Sequence, residues 1–204
     1  MIAIIDYGLG NLGSIQNICR KLGAEATLTN DAAVIMEADK IILPGVGSFD
    51  AGMGNLRTLG LEPVLNKKVL VEKTPVLGIC LGAQLMTKSS EEGVEAGLGW
   101  FDAHTKKFNL VDVSGKWPLP NIGWRDVEIH NNYGLLDSIE DVPRFYFVHN
   151  FYMEVKHRNI VSLTSRYGVE FVCGLHKENI HCVQFHPEKS HRFGLEFFKK
   201  FIKL

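Results

Sequence analysis

A chain of 204 residues that is 46% hydrophobic and 22% charged has the balance of a soluble globular protein, long enough to bury a continuous core. Its net charge of −1, with no Lys/Arg run longer than a pair, excludes broad electrostatic capture of nucleic acid or anionic lipid. The four cysteines, Cys19, Cys80, Cys173 and Cys182, show neither C-x-x-C nor metal-ligand spacing, so free thiols are expected, with no metal and no cofactor.

The N-terminal "MIAIID" predicts a first strand and is too short for a signal peptide. No apolar run along the chain approaches the roughly 20 residues of a spanning helix, so no membrane association is expected and the cytoplasm is the expected location. "GLGNLG" comes next, matching G-x-G-x-x-G at Gly8, Gly10 and Gly13, with Asp31 at the end of the next strand-like run. That is the outline of a dinucleotide site, although Asp6 and Tyr7 intervene between strand and glycines. "GSIQNICRKLG" predicts a helix, "EATLTN" and "KIILPG" strands, "LGLEPVLNKKVLVEK" a helix, "PVLGIC" a buried strand and "LGAQLMTKSS" a helix. This alternation implies an α/β fold, a mixed and mostly parallel sheet with helices on both faces.

From about residue 100 the character changes: "RFYFVHNFYMEV", "NIVSLTSRY", "EFVCGLH" and "NIHCVQFH" are strand-like and closely spaced, predicting antiparallel additions to the same sheet. A last helix, "SHRFGLEFFKKFIKL", repeats Phe193, Phe197, Phe198 and Phe201 at helical spacing. With no repeat and no dividing linker, one domain over 1–204 is expected.

Within "GICLG", Cys80 stands between Gly78 and Gly82, after a predicted strand and before a predicted helix. This is the context of a nucleophile elbow, here with sulfur as the nucleophile. The flanking glycines let backbones approach closely, the turn strains the central residue, and a helix N-terminus favours thiolate. The Leu81 N–H could stabilise an oxyanion. The plainer alternative is a small buried hydrophobe. In "CVQFHPEKS" a strand-like run ends at His186, and residues two apart on extended chain share a side, so Glu188 can face the same space. Histidine would then serve as acid and base and the carboxylate would orient it.

"PGVGSF" (44–49), "GICLGAQLM" and "QFHPEKS", in this order and spacing, resemble the class I (triad) glutamine amidotransferases, and "IIDYGLGNLGSI", "LPNIGW" and "YFVHNFY" are similar to the glutaminase subunits of imidazole glycerol phosphate synthase. The resemblance implies a flavodoxin-like core, Cys80 as a nucleophile forming a glutamyl thioester, His186 as general acid/base and Glu188 as the orienting carboxylate. It also implies Gly47 beside Leu81 at the oxyanion, and Gln84, Glu92 and backbone around Asn150 and Phe151 for the glutamine substrate. The partner implied is a (β/α)8 barrel synthase forming a heterodimer that receives ammonia, with Trp124, Tyr146 and Lys189 near the passage mouth and Asn11 on the partner face. Two departures stand out: Pro120-Asn121-Ile122-Gly123-Trp124 has Asn where the family commonly has an interfacial His, and Asn150 follows His149 where a small hydroxyl residue is common. They keep open a second acceptor, an enzyme that amidates surface sugars.

Overall fold

The computed structural model describes every residue except 132, 133, 138 and 140. The N-terminal half delivers β1 (Ile2–Ile5), α1 (Leu12–Lys21), β2 (Ala26–Thr29), α2 (Ala32–Met36), β3 (Lys40–Leu43), α3 (Phe49–Thr58), α4 (Leu61–Asn66), β4 (Val76–Ile79) and α5 (Leu81–Leu85). The second half adds β5 (Ala103–Lys107), β6 (Asn121–Ile129), β7 (Arg144–His149), β8 (Phe151–Val155), β9 (Val161–Tyr167), β10 (Val169–Lys177), β11 (Ile180–Val183) and α6 (His191–Ile202).

Along the sheet the order is β2-β1-β3-β4-β11-β10-β9-β6-β7, with β8 joining β10 and β5. The mixed, mostly parallel α/β reading holds for the half that carries β1 to β4. One strand departs from it: β11 runs parallel to β4, with Cys182 opposite Gly78 and Val183 opposite Ile79, and is antiparallel only to β10. The switch to antiparallel pairing therefore falls at β10, and β11 extends the parallel half. This puts the C-terminal ends of β4 and β11 side by side, so the residues just past the two strands emerge next to each other.

Helices cover both faces. Ile15 and Cys19 of α1 pack with Phe197, Phe198 and Phe201 of α6 on one side, and Phe49, Met53 and Leu56 of α3 pack with Leu65 of α4 and Leu85 of α5 on the other. The α6 stripe follows from Phe at 3.6-residue spacing, with Phe193 only partly buried. Three predicted elements are shorter or divided, the first being "LGLEPVLNKKVLVEK", which forms α4 and then a π-helical turn over Lys67–Val71. The helix after Cys80 ends at Leu85, because the Thr87 hydroxyl donates to the Gln84 carbonyl at 2.8 Å and the chain turns away. "RFYFVHNFYMEV" breaks at Asn150 into β7, paired with β6, and β8, paired with β5 and β10. The helix α3 does not stand out in the sequence, since Gly52 and Gly54 dilute its apolar stripe. Gly52 is there because a Cβ would sit 3.0 Å from the Leu85 side chain.

Candidate active site

Strand β4 is wholly buried and delivers Cys80 at its end with φ 55° and ψ −110°, a conformation that costs energy for any residue bearing a Cβ. Two backbone bonds hold it there: Cys80 N–H donates to Val183 O at 2.9 Å, and Gln84 N–H donates to Cys80 O at 3.2 Å. The neighbours must be glycine. A Cβ on Gly82 would lie 1.8 Å from the Leu43 carbonyl oxygen and one on Gly78 2.7 Å from the Met86 methyl carbon. Since α5 is only five residues long, its dipole adds less to a thiolate than a longer helix would, and nearby charges weigh more.

His186 arrives just beyond β11. Its N–H donates to Tyr146 O at 2.8 Å, and the fully buried Ser190 hydroxyl donates to His186 O at 2.6 Å while accepting from Tyr146 N–H at 3.0 Å. The imidazole Nδ1 and Glu188 Oε1 are 2.7 Å apart, with side chains 1% and 3% exposed. Strand alternation is not what joins them: Pro187–Lys189 forms a 3-10 turn, and the carboxylate reaches the ring across that turn. A carboxylate on Nδ1 leaves Nε2 for the cavity, where it makes no hydrogen bond among the described residues. Burial pulls the His186 pKa down, but Cys80 on one side and Glu188 on the other outweigh it and raise it to about 10.

Cys80, Leu81, Gln84, Glu92, Val148, His149, Asn150, Phe151, His186, Val46 and Gly47 line one cavity of about 140 Å³. All the residues expected to carry the nucleophile, oxyanion and substrate roles are thus gathered around one space. Gly47 has φ 136°, open to glycine, but Leu81 N–H is engaged: it donates to Gly45 O at 3.3 Å. Gly45 itself tolerates no side chain, since a Cβ would lie 2.2 Å from the Tyr7 hydroxyl, which donates to Pro44 O at 2.6 Å. Glu92 Oε2 accepts from Phe49 N–H at 2.8 Å, the first residue of α3, where the helix end favours its charge. His149 donates from Nδ1 to Phe151 O at 2.7 Å and so accepts at Nε2 from Asn121 at 2.9 Å. Burial keeps that ring neutral, with a pKa lowered to about 4.

Of the four residues expected at the partner face, three meet. Trp124 and Tyr146 rings are 6.3 Å apart, Lys189 Nζ lies 6.0 Å above the Tyr146 ring, and Trp124 stacks on His191 at 5.4 Å. Asn11 is exposed at the start of α1, a helix that packs beside the Pro187–Lys189 turn. Asn121, expected at an interface, is fully buried against His149, so that departure changes the interior. The dinucleotide outline finds its acidic residue engaged elsewhere, for Asp31 caps α2 through Ala33 N–H at 2.8 Å. A larger groove of about 460 Å³, between β6 and β9, has neither cysteine nor histidine in its lining. Gln184, Ser190 and Tyr7 also build the site without being expected there; of these only Ser190, a helix-start residue type before a periodic run, carries a local signal in the sequence. Among the described residues no His, Cys, Asp or Glu group is arranged to hold a metal ion, and no helix is long and apolar enough to cross a membrane.

The profile of the family described as "Glutamine amidotransferase class-I" matches residues 3–204. The chain is 52% identical over 203 residues to "Imidazole glycerol phosphate synthase subunit HisH 2" of Methanococcus maripaludis, covering 100% of this chain and 99% of that one. It is 43% identical over 204 residues to the protein of the same name in Pseudomonas aeruginosa, covering 100% of each. Among solved structures, a glutamine amidotransferase from Thermotoga maritima matches with a TM-score of 0.64 at 20% identity, over 94% of this chain and 77% of that one, a likeness of fold.

Proposed function

Because this chain belongs to the class-I glutamine amidotransferase family, we propose that it hydrolyses the side-chain amide of glutamine and hands the ammonia to a synthase partner. The observation that carries this reading is Cys80 and His186 on the wall of one cavity, with the Glu188 carboxylate behind the ring at 2.7 Å from Nδ1. With its proton already held at His186 Nε2, Cys80 sulfur attacks the amide carbon and forms the C–S bond as the amide C=O opens to an oxyanion. The tetrahedral oxyanion needs Leu81 N–H, so the Gly45 carbonyl must first turn away, which a glycine peptide permits. Collapse breaks the C–N bond as His186 returns its proton to the leaving nitrogen, and ammonia departs. Water, deprotonated by the same ring, then cleaves the thioester to glutamate and restores the thiol. Glu188 holds the ring and offsets its positive charge. Gln84, Glu92 and the Asn150–Phe151 backbone bind the amino-acid end, with Glu92 facing the α-ammonium. Residues 1–204 act as one glutaminase domain.

Free ammonia at neutral pH is protonated, so delivery requires a sheltered route. The partner we infer is a (β/α)8 barrel subunit that makes imidazole glycerol phosphate in histidine biosynthesis, in a heterodimer docked over Trp124, Tyr146, Lys189 and Asn11. The support is the 52% and 43% identity to subunits bearing the name of that synthase. Co-expression with the barrel subunit from the same genome tests this. A one-to-one complex releasing glutamate and imidazole product in equal amounts is expected; capture of a sugar-amidating enzyme instead, with no barrel complex, would move the acceptor to the other pathway.

A further inference from the structure

One fully buried side chain touches the sulfur and has no part in that reaction sequence. Gln184 lies just past β11, its N–H donating to Cys173 O at 2.8 Å, and its side chain passes beneath Cys80. Gln184 Nε2 is 3.7 Å from Cys80 Sγ, and its Oε1 is 3.1 Å from Gln84 Nε2, which also reaches Phe151 O at 3.5 Å.

The direction of this chain of hydrogen bonds is set at its far end. A backbone carbonyl can only accept, so Phe151 O requires the amino group of Gln84 to face it; a flipped Gln84 would set oxygen against oxygen. That same amino group faces Gln184, whose nearer atom must then be the acceptor Oε1. The amino group of Gln184 is thereby turned to the sulfur, and the sulfur must accept. A thiolate accepts far better than a thiol.

Resting on the glutaminase reading, we infer that Gln184 is a further residue of the nucleophile site: it donates a hydrogen bond that favours the thiolate of Cys80, in an orientation enforced through Gln84 by the Phe151 carbonyl. The substrate-end residue and the nucleophile then share one hydrogen-bond chain, so a ligand that moves Gln84 is felt at the sulfur. The amide adds no charge, leaving His186 as the proton carrier. A donor fixed before the reaction costs no reorganisation when the anion forms. The titratable groups facing Cys80 are His186 with Glu188 behind it, Tyr7 from the end of β1, and Glu92 across the cavity. None of these is altered by a change at Gln184.

Alkylation by iodoacetamide across pH reads the bond directly, with Cys80→Ala as background. Burial raises the other thiols, Cys19 to about 11 and Cys182 to about 12, with Cys173 also well up, so Cys80 reports alone. In Gln184→Met, which keeps the volume and removes the donor, the pH midpoint of alkylation is expected to rise by ~1 unit. Glutamine turnover with the partner should fall ~10-fold in kcat, with KM changed less than ~2-fold. Gln184→Glu, which sets a carboxylate against the sulfur, should shift the midpoint further. If Gln184→Met does not fold, Gln84→Leu frees the Gln184 amide to rotate and should also raise the midpoint. A midpoint within ~0.2 unit of the parent in a folded variant overturns the inference. Alkylation needs no glutamine, so a midpoint that rises in Gln184→Met, in a protein whose parent never releases glutamate, would instead count against the glutaminase reading.

Discussion

Cys80 and His186 lie 106 positions apart in sequence, and each is held by its backbone before its side chain does anything. The Cys80 turn stores strain between two backbone bonds, and His186 is pinned to Tyr146 with the Ser190 hydroxyl as a staple. Removing that hydroxyl takes the acceptor from Tyr146 N–H and leaves the His186 carbonyl with Lys189 N–H, at 3.0 Å, in place of two donors. Ser190→Ala is therefore expected to cost about 2 kcal/mol by urea unfolding and to lower kcat ~10-fold with KM little changed, while Ser190→Thr recovers much of both. The His186 pKa, raised from 6.5 to about 10 by Cys80 and Glu188 against the pull of burial, carries a linked stability term. For a raised histidine that term is fully present below about 6.5 and is lost as pH climbs through about 10. The melting temperature should fall across this window, and in Glu188→Gln it should fall less, because the lost carboxylate no longer favours the charged ring. An equal fall in both proteins would remove Glu188 from the pairing. The grouping of Cys80, His186 and Glu188 was legible because the three residue types stand in motifs with local geometry, G-x-C-x-G and His-Pro-Glu. Gln184 was not, because its role arises from a contact across β4 and β11 that no spacing encodes.

At the scale of elements, the site exists because β4 and β11 run parallel side by side and end together. The sequence suggested the parallel half from its strand and helix alternation but assigned β11 to the antiparallel additions: a four-residue buried strand carries no mark of its neighbour's direction. Strand β6 went unremarked since its outer face is mixed and partly exposed, and α3 because two glycines interrupt it. The tight seat of α5 against β3 is testable. In Gly82→Ala the new Cβ meets backbone at 1.8 Å and cannot be relieved by a rotamer, so a loss of ~3 kcal/mol or failure to fold is expected by denaturant titration. Gly13→Ala, where nothing lies within 4 Å of the added carbon, should change stability by less than ~0.5 kcal/mol. Comparable losses in both would show that the α5 seat is not specially tight.

For the molecule as a whole, the resting arrangement holds back its own chemistry. Leu81 N–H is occupied by Gly45 O at 3.3 Å, while Val46 and Gly47 on the same segment reach the cavity wall and Val46 is 48% exposed. The purified chain should consequently turn over glutamine slowly, and the barrel partner should raise glutamate release by ~10²-fold or more by selecting the conformation with that N–H free. Rapid turnover by the chain alone would contradict this. The claim beneath every step is a covalent glutamyl group on one sulfur, and its most direct measurement is mass spectrometry of the complex quenched in acid during glutamine turnover. The account predicts a glutamyl adduct on the peptide containing Cys80, absent from Cys80→Ala, whose glutamate release is down at least ~10³-fold. Release at the parent rate by Cys80→Ala, or the adduct on a different residue, would contradict it.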